Sequence, residues 1–361
     1  MGLKWLERNR IGKEKWDRFL ENSDEAWLWH FFDFQDALAC WPSYSDLSFG
    51  VLDALSCGEV LCLMPLHLLV DQSIVSLGGP AFTNGIPGRL RHRSLGFIRD
   101  HLVETAQKYR LREINVSLPP MARAYSGERC PRVNPLLEFG CENTLTQTWV
   151  VDLRSGKEEV WDRMEGRART AIRKAEKSGI RVREARNDDL ESYYKLHVET
   201  YDRTGVPPHP KDYFKAIWND FLAAGLAHIF IAEMGEEAVA AENFGTYQGR
   251  AVYWTGAASA KGLSAEANSL IQWTAIQWMI DRGFEYYETG EAFPGIRVGK
   301  EKGLNDFKKS FGGELYPFYK GRLLADQRHN TNSQTKRRLG DRLLDISPRK
   351  LLDQIKKKME C

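Results

Sequence analysis

Residues 227–258 constrain the fold of this chain more than any other stretch. Three segments rich in β-branched and aromatic residues follow one another: 227–234 (AHIFIAEM), 237–247 (EAVAAENFGTY) and 250–258 (RAVYWTGAA). Only the short turns around Gly235 and Gly249 separate them, which predicts an antiparallel meander. Residues 264–282 change the period. Leu270, Ile271, Trp273, Ala275, Ile276, Trp278 and Met279 nearly surround a helical wheel, so this helix is expected to be buried. Residues 284–289 (FEYYET) return to strand character.

The first half carries an echo of that order. Residues 59–70 (EVLCLMPLHLLV) read as a long apolar strand and 73–77 as a short one. Residues 78–88 (GGPAFTNGIPG) break the pattern with glycine and proline. Leu95, Ile98, Leu102 and Ala106 then fall on one face of a helix over 94–109, and 112–118 read as a strand ended by Pro119 and Pro120. Each half thus has strands, a helix, and a strand after a charged turn (109–113 and 281–285). With 361 residues, too many for one ordinary core, the echo suggests two copies of one α+β unit. The expected domains are 1–148, 149–320 and a tail, 321–361.

Charge and composition narrow the chemistry. The net charge is only +2, but the tail holds eleven Lys/Arg against five Asp/Glu, with Leu and Ile at helical spacing. Such a tail suits an anionic membrane surface. Residues 158–178 predict one amphipathic helix: acids at its start, Arg163, Arg167, Arg169, Arg173, Lys174 and Lys177 on one face, and Gly179 as its stop. That cationic face could meet tRNA phosphates or anionic lipid. The six cysteines and eight histidines show no metal spacing, so no metal is expected. No P-loop, HExxH or G-x-S-x-G motif occurs. A polar N-terminus and the lack of an 18-residue apolar run predict a cytoplasmic protein, peripheral to the inner membrane if the tail binds lipid.

The order strand–strand–helix–strand resembles the GNAT acyltransferase fold, in which a loop before the helix holds the pyrophosphate of coenzyme A. The corresponding loop is 259–267 (SAKGLSAEA), where Gly262 and Ser264 are the donor-binding candidates and Ser259 replaces the usual basic or amide residue. A further set of motifs resembles the Fem aminoacyltransferases and related Fem/GNAT-like proteins over about 60–320. They are Gly78-Gly79-Pro80 after a strand, the basic run Arg167 to Ala175, Thr200 and Arg203 before Gly205 and Pro207, Arg282-Gly283, and GL-x-x-FK-x-x-FGG from Gly303 to Gly313.

The resemblance implies two tandem GNAT-like domains with mixed sheets flanked by helices, and an active cleft in the second. It places Lys308 near the acyl-transfer site, with Phe307 beside it. The implied activity is N-acyl transfer from an aminoacyl-tRNA or acyl-CoA co-substrate to an amine of an envelope precursor or sugar, with no cofactor bound. A fixed ammonium aimed at the forming oxyanion would lower the barrier. Glu242, Glu288 and Glu291, on or just past strands, are the candidates for deprotonating the attacking amine. Arg203 and Thr200 could grip phosphate on the substrate, and Tyr253 could stack on it. The alternative is a non-catalytic GNAT-like protein that holds an envelope precursor at the membrane.

Overall fold

A computed structural model describes residues 2–41, 44–54, 58–69, 73–293 and 295–325. The first half supplies strands β1 (Leu3–Glu7), β2 (Ser45–Asp46), β3 (Phe49–Asp53), β4 (Val60–Met64), β5 (His67–Leu68), β6 (Ile74–Ser76), β7 (Ala81–Phe82), β8 (Glu113–Ser117) and β9 (Glu142–Asn143). The second supplies β10 (Thr146–Asp152), β11 (Ile180–Glu184), β12 (Ala227–Met234), β13 (Glu237–Tyr247), β14 (Arg250–Ala258), β15 (Tyr286–Ala292), β16 (Glu314–Phe318) and β17 (Lys320–Leu324).

They form three sheets among the described residues: β1-β3-β4-β7, β2-β5-β6-β8-β17-β9 and β11-β12-β13-β14-β15-β10-β16. The meander stands at the bounds the sequence predicts, because two-residue turns at Gly235 and Gly249, both at positive φ, leave no slack. The fold is a mixed α+β architecture with helices on the sheet faces.

Four expectations change. The run 59–70 is two strands in two sheets, because Pro65 cannot donate to a ladder and the chain switches sheets there. The helix expected over 94–109 starts earlier, at Gly88 after Pro87, and ends at Lys108. The helix expected over 158–178 is broken into Lys157–Arg163 and Gly166–Lys177, with Met164 and Glu165 extended between them. The expected domain bounds also cut strands. Residue 148 lies inside β10 and residue 321 inside β17.

Those two strands cross between the halves. β10 follows the first half in sequence but inserts between β15 and β16 of the second sheet. β17 follows the second half but inserts between β8 and β9 of the first. Each half therefore completes the other, and Val150, Val252, Tyr286 and Leu323 share one core with first-half side chains such as Leu28 and Val116. Of the expected tail, residues 321–325 are strand and turn; 326–361, with the proposed membrane-binding surface, lie outside the described residues. No helix among the described residues is long and apolar enough to cross a membrane.

Candidate active site

The second half's buried helix, Ala267–Asp281, connects β14 to β15, and a crossover of that kind makes the two strands parallel. They pair only from Arg250↔Tyr286 to Val252↔Glu288 and then separate. Beyond that point Tyr253, Trp254, Thr255 and Gly256 are partly exposed, although β14 is the fourth of seven strands. A central strand open to solvent in its middle marks a cleft, with backbone groups on the β15 side that have no ladder partner.

Lys308 stands on the β15 lip of this wedge. It comes from the helix Gly299–Lys309, which is fastened to the strands by Thr289 Oγ1 donating to the Lys308 carbonyl (3.2 Å) and by Trp149 Nε1 donating to Asn305 Oδ1 (3.0 Å). The ammonium donates to the Glu291 carbonyl (3.0 Å) and lies over the Phe293 ring (5.4 Å). Gly290 makes the approach possible. A Cβ there would sit 2.9 Å from Lys308 Nζ, and its φ of 111° is one that other residues rarely adopt. Phe307, the neighbour, packs edge-on against Phe311 (5.0 Å) on the core side.

The three carboxylates have separate environments. Glu291 pairs with Lys320 (2.6 Å) and accepts from Thr146 Oγ1 (2.8 Å). Glu288 is buried and accepts from Thr148 Oγ1 (2.7 Å). Burial pushes its pKa up to about 7, opposed by the Thr148 hydrogen bond and the Lys308 charge. Glu242 is fully buried on β13, and burial pushes it up to about 8. Tyr287 donates to Gln272 beneath the helix, so the next residue, Glu288, faces the other side of the sheet. Lys320 and the two threonines lie on the exchanged strands, so the second half's wedge is furnished partly by the crossing.

Other candidates take structural roles. Thr200 Oγ1 donates to the Ala258 carbonyl (3.1 Å) and accepts from the Ala258 N–H (2.9 Å), and Arg203 donates to the same carbonyl (3.0 Å). These bonds pin the far end of β14. In the loop, Ser259 Oγ accepts from the Gly262 N–H (3.1 Å), capping the short helix Ala260–Ser264. A Cβ at Gly262 would come 2.1 Å from the Val239 carbonyl oxygen, so this glycine lets the loop pack on β13. Ser264 is exposed. The cationic face at 158–178 is largely engaged: Arg167 with Glu165 (2.8 Å), Lys174 with Glu266 (3.7 Å), Arg173 over the Trp161 ring (5.3 Å). Sequence reasoning missed Thr148, Gly290, Asn305 and Lys320. Only Gly290 carried a signal, since a glycine inside a strand run often marks a bulge or a close approach.

Residues 163–309 match the model of the GNAT acetyltransferase domain family. A crystal structure of FemX is similar over 88% of this chain and 96% of that one, with a TM-score of 0.63 and 14% identity. The chain shares the fold of that structure, and its second half carries the match to the GNAT acetyltransferase domain. Two further structures share that fold. One is the C-terminal domain of a putative lysylphosphatidylglycerol synthetase from Agrobacterium fabrum (TM-score 0.57, 12% identity, 88% and 92% covered). The other is L-PGS from Bacillus licheniformis (TM-score 0.53, 17% identity, 85% and 90% covered). No curated protein matches the chain by sequence. The parting of β14 and β15 and the Lys308 side chain both fall within the matched residues.

Proposed function

We propose that this chain is an N-acyltransferase that moves an aminoacyl or acyl group to an amine within the β14/β15 wedge. The observation that carries it is the placement of the Lys308 ammonium on the lip of an opened central strand pair. Attack of an amine on an ester or thioester turns the carbonyl oxygen into an oxyanion. The Glu291 carbonyl and the Phe293 ring hold the Lys308 ammonium in place. A cation fixed there stabilises the charge as it forms, without reorganising. Glu288, held by Thr148 and half-titrated near neutral pH, is suited to take the proton from the attacking ammonium. Glu291 is committed to Lys320 and serves to hold the lip.

The donor we favour is an oxygen ester of the aminoacyl-tRNA kind rather than acyl-CoA. The loop amides that would hold a diphosphate are used internally. Gly262 donates to Ser259, and Ala260 donates to Glu199 (3.1 Å). Glu266 adds a carboxylate at the N-terminus of the following helix, where the dipole would otherwise attract an anion. The acceptor class is an amine on an envelope precursor or sugar. A transfer assay with both donor types, comparing wild type and Lys308→Ala, tests this. We expect ester-dependent turnover that falls about 100- to 1,000-fold in the variant. Equal rates in both proteins, or turnover in neither, would rule the catalytic assignment out and leave a binding protein.

A further inference from the structure

Seven of the eleven buried polar side-chain atoms that have no hydrogen-bond partner among the described residues gather along one seam between the halves. They are the Tyr44 hydroxyl, both ring nitrogens of His67, Nδ1 of His197 and of His209, and both ends of the Asn243 amide. Elsewhere such atoms occur singly, as a folded protein's few exceptions do. The seam starts at the wedge. Glu242 turns its carboxyl to Gln272 on the helix Ala267–Asp281, so Asn243 faces the other side of β13, opposite Thr255 of β14. Glu288 faces that same side of the sheet, because Tyr287 is bonded beneath the helix. From there aromatic rings lead outward. Trp254 meets Trp29 edge-on (5.3 Å) and donates from Nε1 to the Tyr213 hydroxyl (2.9 Å). Trp41 packs on Tyr213 (4.7 Å) and on His209 (5.3 Å), whose ring lies 5.0 Å from that of His197. At the outer end the Tyr44 N–H closes a turn on the Trp41 carbonyl (3.1 Å), and the Tyr44 ring lies on His67 (4.8 Å). Trp29, Trp41, Tyr44 and Trp254 are half-buried, so the seam reaches solvent.

The unpaired atoms are a mixture of donors and acceptors without charge. His197 Nε2 accepts from the His209 N–H (3.0 Å), which puts the ring proton on Nδ1, where it has no acceptor. His67 offers one donor and one acceptor, the Asn243 amide offers both, and the Tyr44 hydroxyl can do either. Burial holds His67 and His209 down at about 4 and His197 at about 3, so the three imidazoles are neutral at neutral pH. Arg8, whose charge His67 feels, is bound to Asp36 and Asp46 (2.6 Å each). A phosphate or carboxylate entering here would bring only acceptors and a charge with nothing to meet it. A sugar hydroxyl both donates and accepts, and the apolar face of a sugar ring packs on an indole.

We propose that this seam is the acceptor subsite and that it takes a neutral glycan, so that the amine acylated in the wedge belongs to an amino sugar. The inference rests on the acyltransferase function proposed above and narrows its acceptor. The glycan lies along the rings with its amine at Glu288, and its hydroxyls pair with the Asn243 amide, the imidazoles and the Tyr44 phenol. The amine attacks the acyl carbon and its surplus proton goes to Glu288. As the carbon–nitrogen bond forms, the bond from that carbon to the donor oxygen breaks. The oxygen keeps the electron pair and takes a proton from solvent.

The test is calorimetry on the full chain with three probes: a glucosamine disaccharide, the same disaccharide phosphorylated at one hydroxyl, and Nα-acetyl-lysine, an amine without a sugar ring. The disaccharide should bind, and the other two should bind at least about tenfold more weakly. Trp41→Ala should weaken disaccharide binding about tenfold. Asn243→Leu should weaken it by about as much, while its Tm stays level or rises, because the amide has no partner to lose in the folded protein. A lower Tm in Asn243→Leu with unchanged binding would show that the amide is satisfied within the fold, and would overturn the inference. Equal binding by wild type and both variants, or a preference for the phosphorylated or ring-free probe, would overturn it too. Binding needs no donor, so the two readings fail separately. Wild type that binds the disaccharide yet acylates no amine contradicts the transferase function and keeps the glycan site. Wild type that acylates Nα-acetyl-lysine but not the disaccharide overturns this inference alone.

Discussion

The two halves each contain a parallel strand pair that parts after three residues, and the two partings end differently. In the first half β6 pairs with β8 from Ile74↔Ile114 to Ser76↔Val116. The gap beyond is filled. The His30 ring sits where a Cβ on Gly78 would lie (2.5 Å), and Leu118 does the same at Gly79 (2.5 Å). His30 is completely buried, accepting from the Trp27 N–H at Nδ1 (3.1 Å) with Nε2 on the Gly79 carbonyl (3.2 Å). In the second half the gap after Val252 holds half-exposed residues and an ammonium on its lip. One topology thus gives a plugged wedge and an open one, and side chains decide which. The lesson is that the strand parting makes a site available without making it functional.

The sharpest way to break that contrast is to act on the open wedge. Lys308→Ala should cut turnover about 100- to 1,000-fold while thermal unfolding shows the fold intact. Glu288→Gln should cut turnover about 100-fold and flatten the acidic limb of the rate profile. In wild type that limb should fall as pH drops below about 7, because the base becomes protonated. The stability sign runs the other way. The folded protein holds the Glu288 proton more tightly than the unfolded chain, so its contribution is favourable at low pH and is lost as pH rises from the ordinary carboxyl range to about 7. Relative to wild type, the Gln variant should therefore gain in Tm between pH 5 and pH 8.

Smaller effects separate the two wedges further. Gly290→Ala forces the ammonium aside and strains the backbone, so we expect roughly a tenfold loss of turnover. Gly78→Ala presses on the His30 ring in the plugged wedge, which has no room to yield. We expect a cost of about 1–3 kcal/mol in stability, read as a lower Tm, with turnover per folded molecule unchanged. Loss of activity in Gly78→Ala at full folding would show that the first wedge also works in the reaction.

Much of this was legible in the sequence. The meander's bounds, the buried helix and the repeated strand–helix–strand order follow from apolar period and turn residues, which are local properties. The motif around Phe307 and Lys308 lies on the helix that packs against the end of β15. Strand exchange was not legible. The alternation of β10 suits a strand in either sheet, and β17 falls largely in the stretch expected to be tail, because pairing partners are set by tertiary geometry rather than by pattern. Thr148 and Lys320 went unseen for the same reason, since they matter only once those strands cross. Arg203 and Thr200 looked like phosphate ligands because residue type alone cannot distinguish a ligand contact from a bond to the Ala258 carbonyl.

The central claim is that the β14/β15 wedge stabilises a tetrahedral oxyanion at Lys308. Its most direct test is the Kd of a phosphonamidate analogue of that intermediate, measured by calorimetry for wild type and Lys308→Ala. The account predicts binding to wild type that weakens about 100-fold in the variant. Equal affinity for both proteins would contradict it.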